Sequence, residues 1–184
     1  MFEQPDLSYA IGLTPEQAIK YFEAKGYKIT WNWYEMWQDA HAKAFTVAKV
    51  SRLDLLQDIR KAVDSAIADG TTFDKFKDDL TPPLKAKGWW GKDPITGAQL
   101  GSPHRLETIY RTNLQTAYMA GRYKDFKENT DDRPYWQYIA VMDVRTRPAH
   151  AALNGKVFRH DDVFWKTHFP PLPWPGPGSY GQHC

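Results

Sequence analysis

The chain is poor in cysteine: Cys184 is the only one, and it is the last of 184 residues. A lone cysteine cannot close an internal disulfide or build a four-cysteine zinc site by itself, so a secreted disulfide scaffold is excluded. No apolar run approaches the ~18 residues of a membrane-spanning helix, and no membrane partner is expected. The first residues, Met1-Phe2-Glu3-Gln4-Pro5-Asp6, lack the basic and apolar regions of a signal peptide. The expected setting is a reducing cytoplasm, or a particle assembled there. Charge of one sign is also missing. The 24 basic and 22 acidic residues leave a net charge of +2, too little to coat nucleic acid by electrostatics alone, although a local basic patch remains open. There is no P-loop, GxSxG, HExxH, CxxC or dinucleotide fingerprint, which removes the commonest enzyme signatures.

Aromatic residues are plentiful. Eight Trp, ten Tyr and nine Phe make up 15% of the chain, within a hydrophobic content of 42%. That composition suits a folded chain with a real core rather than a disordered one.

The first half reads as helical. Thr14-Pro15-Glu16-Gln17 has a capping residue, a proline for the first turn and a capping-box glutamine. Ala18, Ile19, Phe22 and Ala24 give the helix an apolar side, and Gly26 is expected to end it as a left-handed cap. Lys28 to Trp33 reads as a linker. A second helix is expected from about Trp33 to Val50, with Trp33, Met36, Trp37, Ala40, Ala44 and Val47 at helical steps. A third runs from about Arg52 to Ala68 and ends at Gly70. A fourth opens at Thr72 and should stop at Pro82-Pro83, since neither proline can donate the next helical hydrogen bond. Residues 88–102 hold four glycines and the Trp89-Trp90 pair, which predicts a linker loop. Ser102-Pro103 starts a long helix to about Lys127, with Arg105, Arg111, Arg122 and Lys124 on its polar face.

The period then changes. Tyr135 to Met142 is aromatic and β-branched, which predicts a strand with both faces mostly buried. Lys156-Val157-Phe158 is its expected partner, preceded by Asn154-Gly155, a dipeptide that favours a tight type I′ turn. Residues 169–178 carry five prolines and read as an extended, packed or docking segment. The fold class is α+β. It comprises a helical region over 1–87, a Gly/Trp-rich linker over 88–102, and a module over 103–184 with a long helix, small β structure and a proline-rich tail.

Several clusters could carry function. Asp143-Val144-Arg145-Thr146-Arg147-Pro148-Ala149-His150 sits at a strand end. Its carboxylate, guanidiniums and imidazole could bind phosphate or nucleic acid, with His150 as general acid or base. The plainer reading has Asp143 and an arginine holding the turn. His183 and Cys184, with His150, have the chemistry of zinc ligands, and a third or fourth could come from Asp143, His160, Asp161 or Asp162, but they lack a tight spacing. Arg111 and Arg122 could face an acidic partner or simply be solvated. Trp31, Trp33 and Trp37 could anchor a partner or fill the helical core. The Trp89-Trp90 pair, in a glycine-rich loop, is harder to place in a core and is the better docking candidate.

Seven stretches together resemble a known family. Tyr110-Arg111-Thr112-Asn113-Leu114-Gln115-Thr116-Ala117-Tyr118-Met119-Ala120-Gly121-Arg122 is similar to the central helix of phage minor head proteins of the Mu F type, also called phage head morphogenesis proteins. Asp143-x-Arg145-Thr146-Arg147-x-x-His150-x-x-x-Asn154-Gly155 resembles that family's second motif. Pro170-Pro171, followed by His183-Cys184, resembles its ending. Glu16 to Gly26, Trp37 to Phe45, Leu55 to Arg60 and Lys85 to Gly91 resemble the Mu-like branch, so the likeness spans nearly the whole chain.

The resemblance implies a structural virion protein present in few copies. It would sit in the head interior near the portal and be made in the host cytoplasm. The implied partners are the portal protein, the major capsid protein or scaffold, and packaged DNA. It implies no enzymatic activity and no cofactor. Two alternatives from the residues themselves stay open: a nuclease-like enzyme using His150 with Arg145 and Arg147, and a zinc-stabilised binding module using His150, His183 and Cys184. The sequence departs from the family in two places. Some members have cysteines where this chain has Arg147 and His150, so a four-cysteine site does not carry over. Many relatives continue with Arg-Cys where this chain stops, so the natural protein is expected to run past Cys184.

Overall fold

A computed structural model describes residues 15–32, 44–144 and 146–169. Trp33, Trp37, Arg145, Pro170-Pro171, His183 and Cys184 lie outside the described residues. The chain divides into two compact units, residues 1–118 and 119–184. That division falls inside the long helix and not in the loop 88–102, because the loop packs into the first unit through Trp89 and Leu100.

In the first unit, helix α1 (Pro15–Glu23) buries Ala18 and Phe22, one turn apart on one side. Gly26 does not cap it, contrary to the sequence reading. Gly26 and Tyr27 form strand β1; the Phe22 carbonyl accepts from Lys25 N at 3.1 Å, and Arg60 Nη2 donates to Glu23 O at 2.9 Å and more distantly to Phe22 O at 3.4 Å. A cation at a helix C-terminus also suits the helix dipole.

β1 pairs in parallel with strand β2 (Ala44–Phe45), in the register Gly26↔Ala44 and Tyr27↔Phe45. Lys28 N donates to Phe45 O at 3.1 Å, and Thr30 and Thr46 share a hydroxyl bond at 2.8 Å. The expected helix over Trp33 to Val50 is therefore wrong from Ala44 onward, and its earlier part lies outside the described residues. The physical reason is period: Phe45 and Val47 are buried while Ala44 and Thr46 are less so. That two-residue alternation belongs to extended backbone.

Helix α2 (Leu53–Asp69) matches its reading. Leu55, Leu56, Ile59, Val63, Ala66 and Ile67 are buried, and Gly70 caps it at φ 64°. Helix α3 (Phe73–Ala86) begins at Thr72, whose side chain accepts from Lys75 N. It does not stop at Pro82-Pro83 but runs through both. Leu80 and Leu84 are buried on its inner face, while Asp78 and Asp79, whose carbonyls lose their helical donors, are exposed to water. At exposed residues such carbonyls are open to solvent, and burial of the two leucines holds the helix together. Helix α4 (Pro103–Glu128) starts where expected, with Ser102 Oγ accepting from Arg105 N at 3.2 Å.

In the second unit, strands β3 (Tyr135–Gln137) and β4 (Val157–Arg159) pair antiparallel: Tyr135↔Arg159, Trp136↔Phe158, Gln137↔Val157. The partner strand is as expected, but β3 is shorter than the reading of 135–142 and is not buried on both faces. Trp136, Tyr138 and Ala140 point inward, while Tyr135, Gln137 and Ile139 are exposed. A two-stranded sheet with one covered face shows this alternation. The turn at Asn154-Gly155 forms, with Lys156 N bonded to Leu153 O at 3.0 Å and Gly155 at φ 79°. Asn154 is not left-handed, so the pattern is that of a type II turn rather than type I′. Short helices α5 (Pro148–Ala151) and α6 (Trp165–His168) complete the unit. Trp136, Tyr138, Ala140 and Trp165 form its core, with Phe126, Leu153, Phe158, Phe164 and Phe169 packed around them. The protein is α+β, as read from the sequence.

Candidate functional site

The strand-end motif is folded onto its own backbone. β3 leads into Ala140, whose N–H donates to Asn154 Oδ1 at 2.9 Å, while Gly155 N donates to Tyr138 O at 2.8 Å. Met142 then takes a left-handed φ of 59°. This turns the chain so that Asp143 and Thr146 close on each other. Asp143 N donates to Thr146 Oγ1 at 3.0 Å, Thr146 Oγ1 donates to Asp143 Oδ1 at 3.1 Å, and Thr146 N donates to Asp143 O at 3.0 Å. Arg147 is the extended residue at the start of α5, and its carbonyl accepts from His150 N and Ala151 N, both at 2.9 Å. Pro148 suits the first helical position, where no N–H is needed.

His150 is half-buried. Burial lowers its pKa, and the charges of Arg147 and His168 lower it further. The imidazole is therefore held toward its neutral form. His168 lies flat on Phe164, with ring centres 4.3 Å apart and planes 7° apart. Among the described residues, no group of three or more His, Cys, Asp or Glu could hold a metal ion. The zinc set of the sequence reading includes His183 and Cys184, outside the described residues.

Arg111 is on the first unit's stretch of α4. Its guanidinium pairs with Glu107 one turn earlier, at 2.9 Å. Arg105, expected on the same polar face, is instead turned inward. It donates to Gln99 O, Leu100 O and Ala48 O at 2.7, 2.9 and 2.5 Å, and burial lowers its pKa.

Trp31 and Trp89 are linked through Lys49 in the first unit. Trp89, 3% exposed, is a core residue and not hard to place. Its indole N–H donates to Lys49 O at 2.7 Å, and the Arg105 guanidinium lies 5.0 Å from its ring centre. Lys49 is left-handed, at φ 62°. Its own N–H donates to Trp31 O at 3.0 Å, and its ammonium sits 4.7 Å from the Trp31 ring centre while bonding Asn32 Oδ1 at 2.6 Å. Trp31 is 37% exposed. Trp90 is partly buried, with Lys85 Nζ 5.4 Å from its ring centre.

Gly101 closes the loop behind the pair. A Cβ there would come within 2.5 Å of Trp89 O and 2.7 Å of Trp90 Cε3. Sequence reasoning missed Arg60, Arg105 and Lys49 as organising residues. A charged residue inside an apolar stripe, as Arg60 is in α2, was the available signal.

The family described as "Phage Mu protein F like protein" matches residues 57–175. The chain is 54% identical over 176 residues to a protein of Escherichia phage Mu named "Putative capsid assembly protein F". That match takes in 92% of this chain and 40% of the phage protein. It is 52% identical over 149 residues to the Mu-like prophage FluMu F protein of Haemophilus influenzae, covering 79% of this chain and 36% of that one. The chain thus spans well under half the length of these relatives. No solved structure matches it. With the family matched over most of its length and a relative of that identity, the chain belongs to the Phage Mu protein F like family.

Proposed function

We propose that the chain is a non-catalytic protein of phage head assembly, associated with the portal at the head interior. The observation that carries this reading is the 54% identity, over 92% of the chain, to a protein whose name states capsid assembly. The geometry of the strand-end motif supports a structural role. Thr146 Oγ1 bridges Asp143 N and Asp143 Oδ1, Thr146 N donates to Asp143 O, and Arg147 O starts α5. In this reading no cofactor is required, and zinc at His150, His183 and Cys184 is the variant that elemental analysis decides.

Portal protein is the proposed first partner, with major capsid protein or scaffold next. Trp31 and Trp90 offer accessible indole surface for such contacts, with Trp33 and Trp37 as further candidates. Trp89 acts from beneath, by holding the loop that carries Trp90. Packaged DNA is a further partner, through Arg111, Arg145 and Arg147; Arg111 already shares its charge with Glu107. Tagged chain incubated with portal protein should retain it, and a Trp31→Ala, Trp90→Ala double variant should retain less. Folded protein that captures no portal protein would remove the portal from the reading.

A further inference from the structure

An open groove on the first unit is floored by Trp90, Pro82 and Pro103 and edged by Lys77, Asp78 and Lys85. Two of its three charged residues, Lys77 and Asp78, are in ion-pair contact. Lys77 pairs with Asp74 at 2.9 Å and lies 3.9 Å from Asp78, and Lys85 sits over the Trp90 ring. The groove offers one broad aromatic face, two proline rings and, among the described residues, an indole N–H on Trp90 that donates to no acceptor.

That chemistry selects a particular occupant. A proline-rich segment is apolar, has no N–H at its prolines to leave unsatisfied, and presents carbonyls outward as acceptors. It also loses little entropy on binding, because proline already fixes φ. Aromatic-lined grooves take such segments by stacking on the prolyl rings. The chain itself supplies one: residues 169–178, Phe-Pro-Pro-Leu-Pro-Trp-Pro-Gly-Pro-Gly, have five prolines and no charged side chain, which fits a groove whose Lys77 is paired with Asp74 and whose Lys85 lies on the Trp90 ring. A polyproline helix rises ~3.1 Å per residue, so this run is long enough to cross an indole and two proline rings. We propose that the Trp90 groove binds the proline-rich run 170–178 of a second copy of this chain, Phe169 being held in that copy's own core. The inference does not depend on the portal reading.

The test uses the full chain and a synthetic peptide of residues 169–178. The expected result is concentration-dependent self-association in sedimentation, dispersed by excess peptide. The peptide should shift the Trp90 indole N–H resonance. A peptide with alanine at the five proline positions should do neither. Trp90→Ala should weaken peptide binding by at least about tenfold, equivalent to ~1.4 kcal/mol. Trp90 also packs near Gly101, so Pro82→Glu serves as a second variant. It sits on the exposed face of α3, leaves the core alone, and should weaken binding similarly. A chain that stays monomeric while the peptide leaves the indole resonance unmoved would overturn the proposal. So would a monomer whose indole resonance shifts only when its own prolines are replaced, since the occupant would then be the same chain.

Discussion

The indole N–H of Trp89 donates to the main-chain oxygen of Lys49, 2.7 Å away and 40 residues earlier in the chain. The bond fixes the left-handed turn at Lys49, and that turn in turn places an ammonium on Trp31. Trp89→Phe keeps most of the ring and removes only the donor. It should destabilise the first unit by about 1–3 kcal/mol, the cost of a buried acceptor left without its bond. Trp89→Ala should cost about 3–5 kcal/mol through the cavity it leaves. Denaturant unfolding of the two variants checks both the order and the gap.

Gly101→Ala should destabilise by about 1–3 kcal/mol, the usual range for overpacking. The added methyl meets backbone at Trp89 O, which a rotamer change cannot clear. A midpoint unchanged from the parent protein would contradict this.

Pro82→Ala should raise stability. Proline inside a helix costs up to ~3 kcal/mol relative to alanine, and Pro82 is an exposed residue, not one of the buried Phe76, Leu80 and Leu84 of this helix. The same variant should bind the 169–178 peptide less well. A stabilised protein with weakened peptide binding is therefore the expected pair of results.

Lys25 is 7% exposed, and burial first, then the Arg60 charge, lower its pKa from 10.5 to about 8. Between those two values the unfolded chain binds more protons than the folded one, so this group makes stability rise with pH across about 8 to 10.5. Lys25→Met should remove that rise. His150 has the same sign in a lower window. Its pKa is lowered, so its contribution is present above the ordinary 6.5 and is lost as pH falls below it. His150→Gln should flatten the acid side of the second unit's stability profile, read from chemical unfolding at stepped pH.

Legibility followed how far each signal reached along the chain. α2 and α4 were readable because their apolar spacing is helical over many turns, and Gly70 because only a left-handed cap needs glycine there. Gly26 has the same local appearance, but the Glu23 carbonyl at that helix end accepts from a guanidinium 37 residues away. Ala44 to Val47 suits a helix by spacing with residues before it, while pairing with Gly26 and Tyr27 makes it a strand. Such pairing is invisible to a local window. Pro82 and Pro83 argued for a stop by backbone chemistry, and burial of Leu80 and Leu84 outweighed it. At the strand end, residue types suggested chemistry. The Thr146 hydroxyl between Asp143 N and Asp143 Oδ1 gives the cluster a structural task that composition could not convey.

The loop after Trp89 also separates its anchor from its tip. Gly91, Leu100 and Gly101 bond across its base, and Gln99 Nε2 donates to Gly91 O and Gly101 O. Further out, Asp93 Oδ1 gathers the N–H groups of Ile95 and Thr96, and Ile95 stands 93% exposed. Since closing a longer loop adds free energy only slowly, a short epitope inserted after Ile95 would leave the base intact. Antibody labelling could then locate this protein within an assembled head without touching the groove, either core or the strand-end turn.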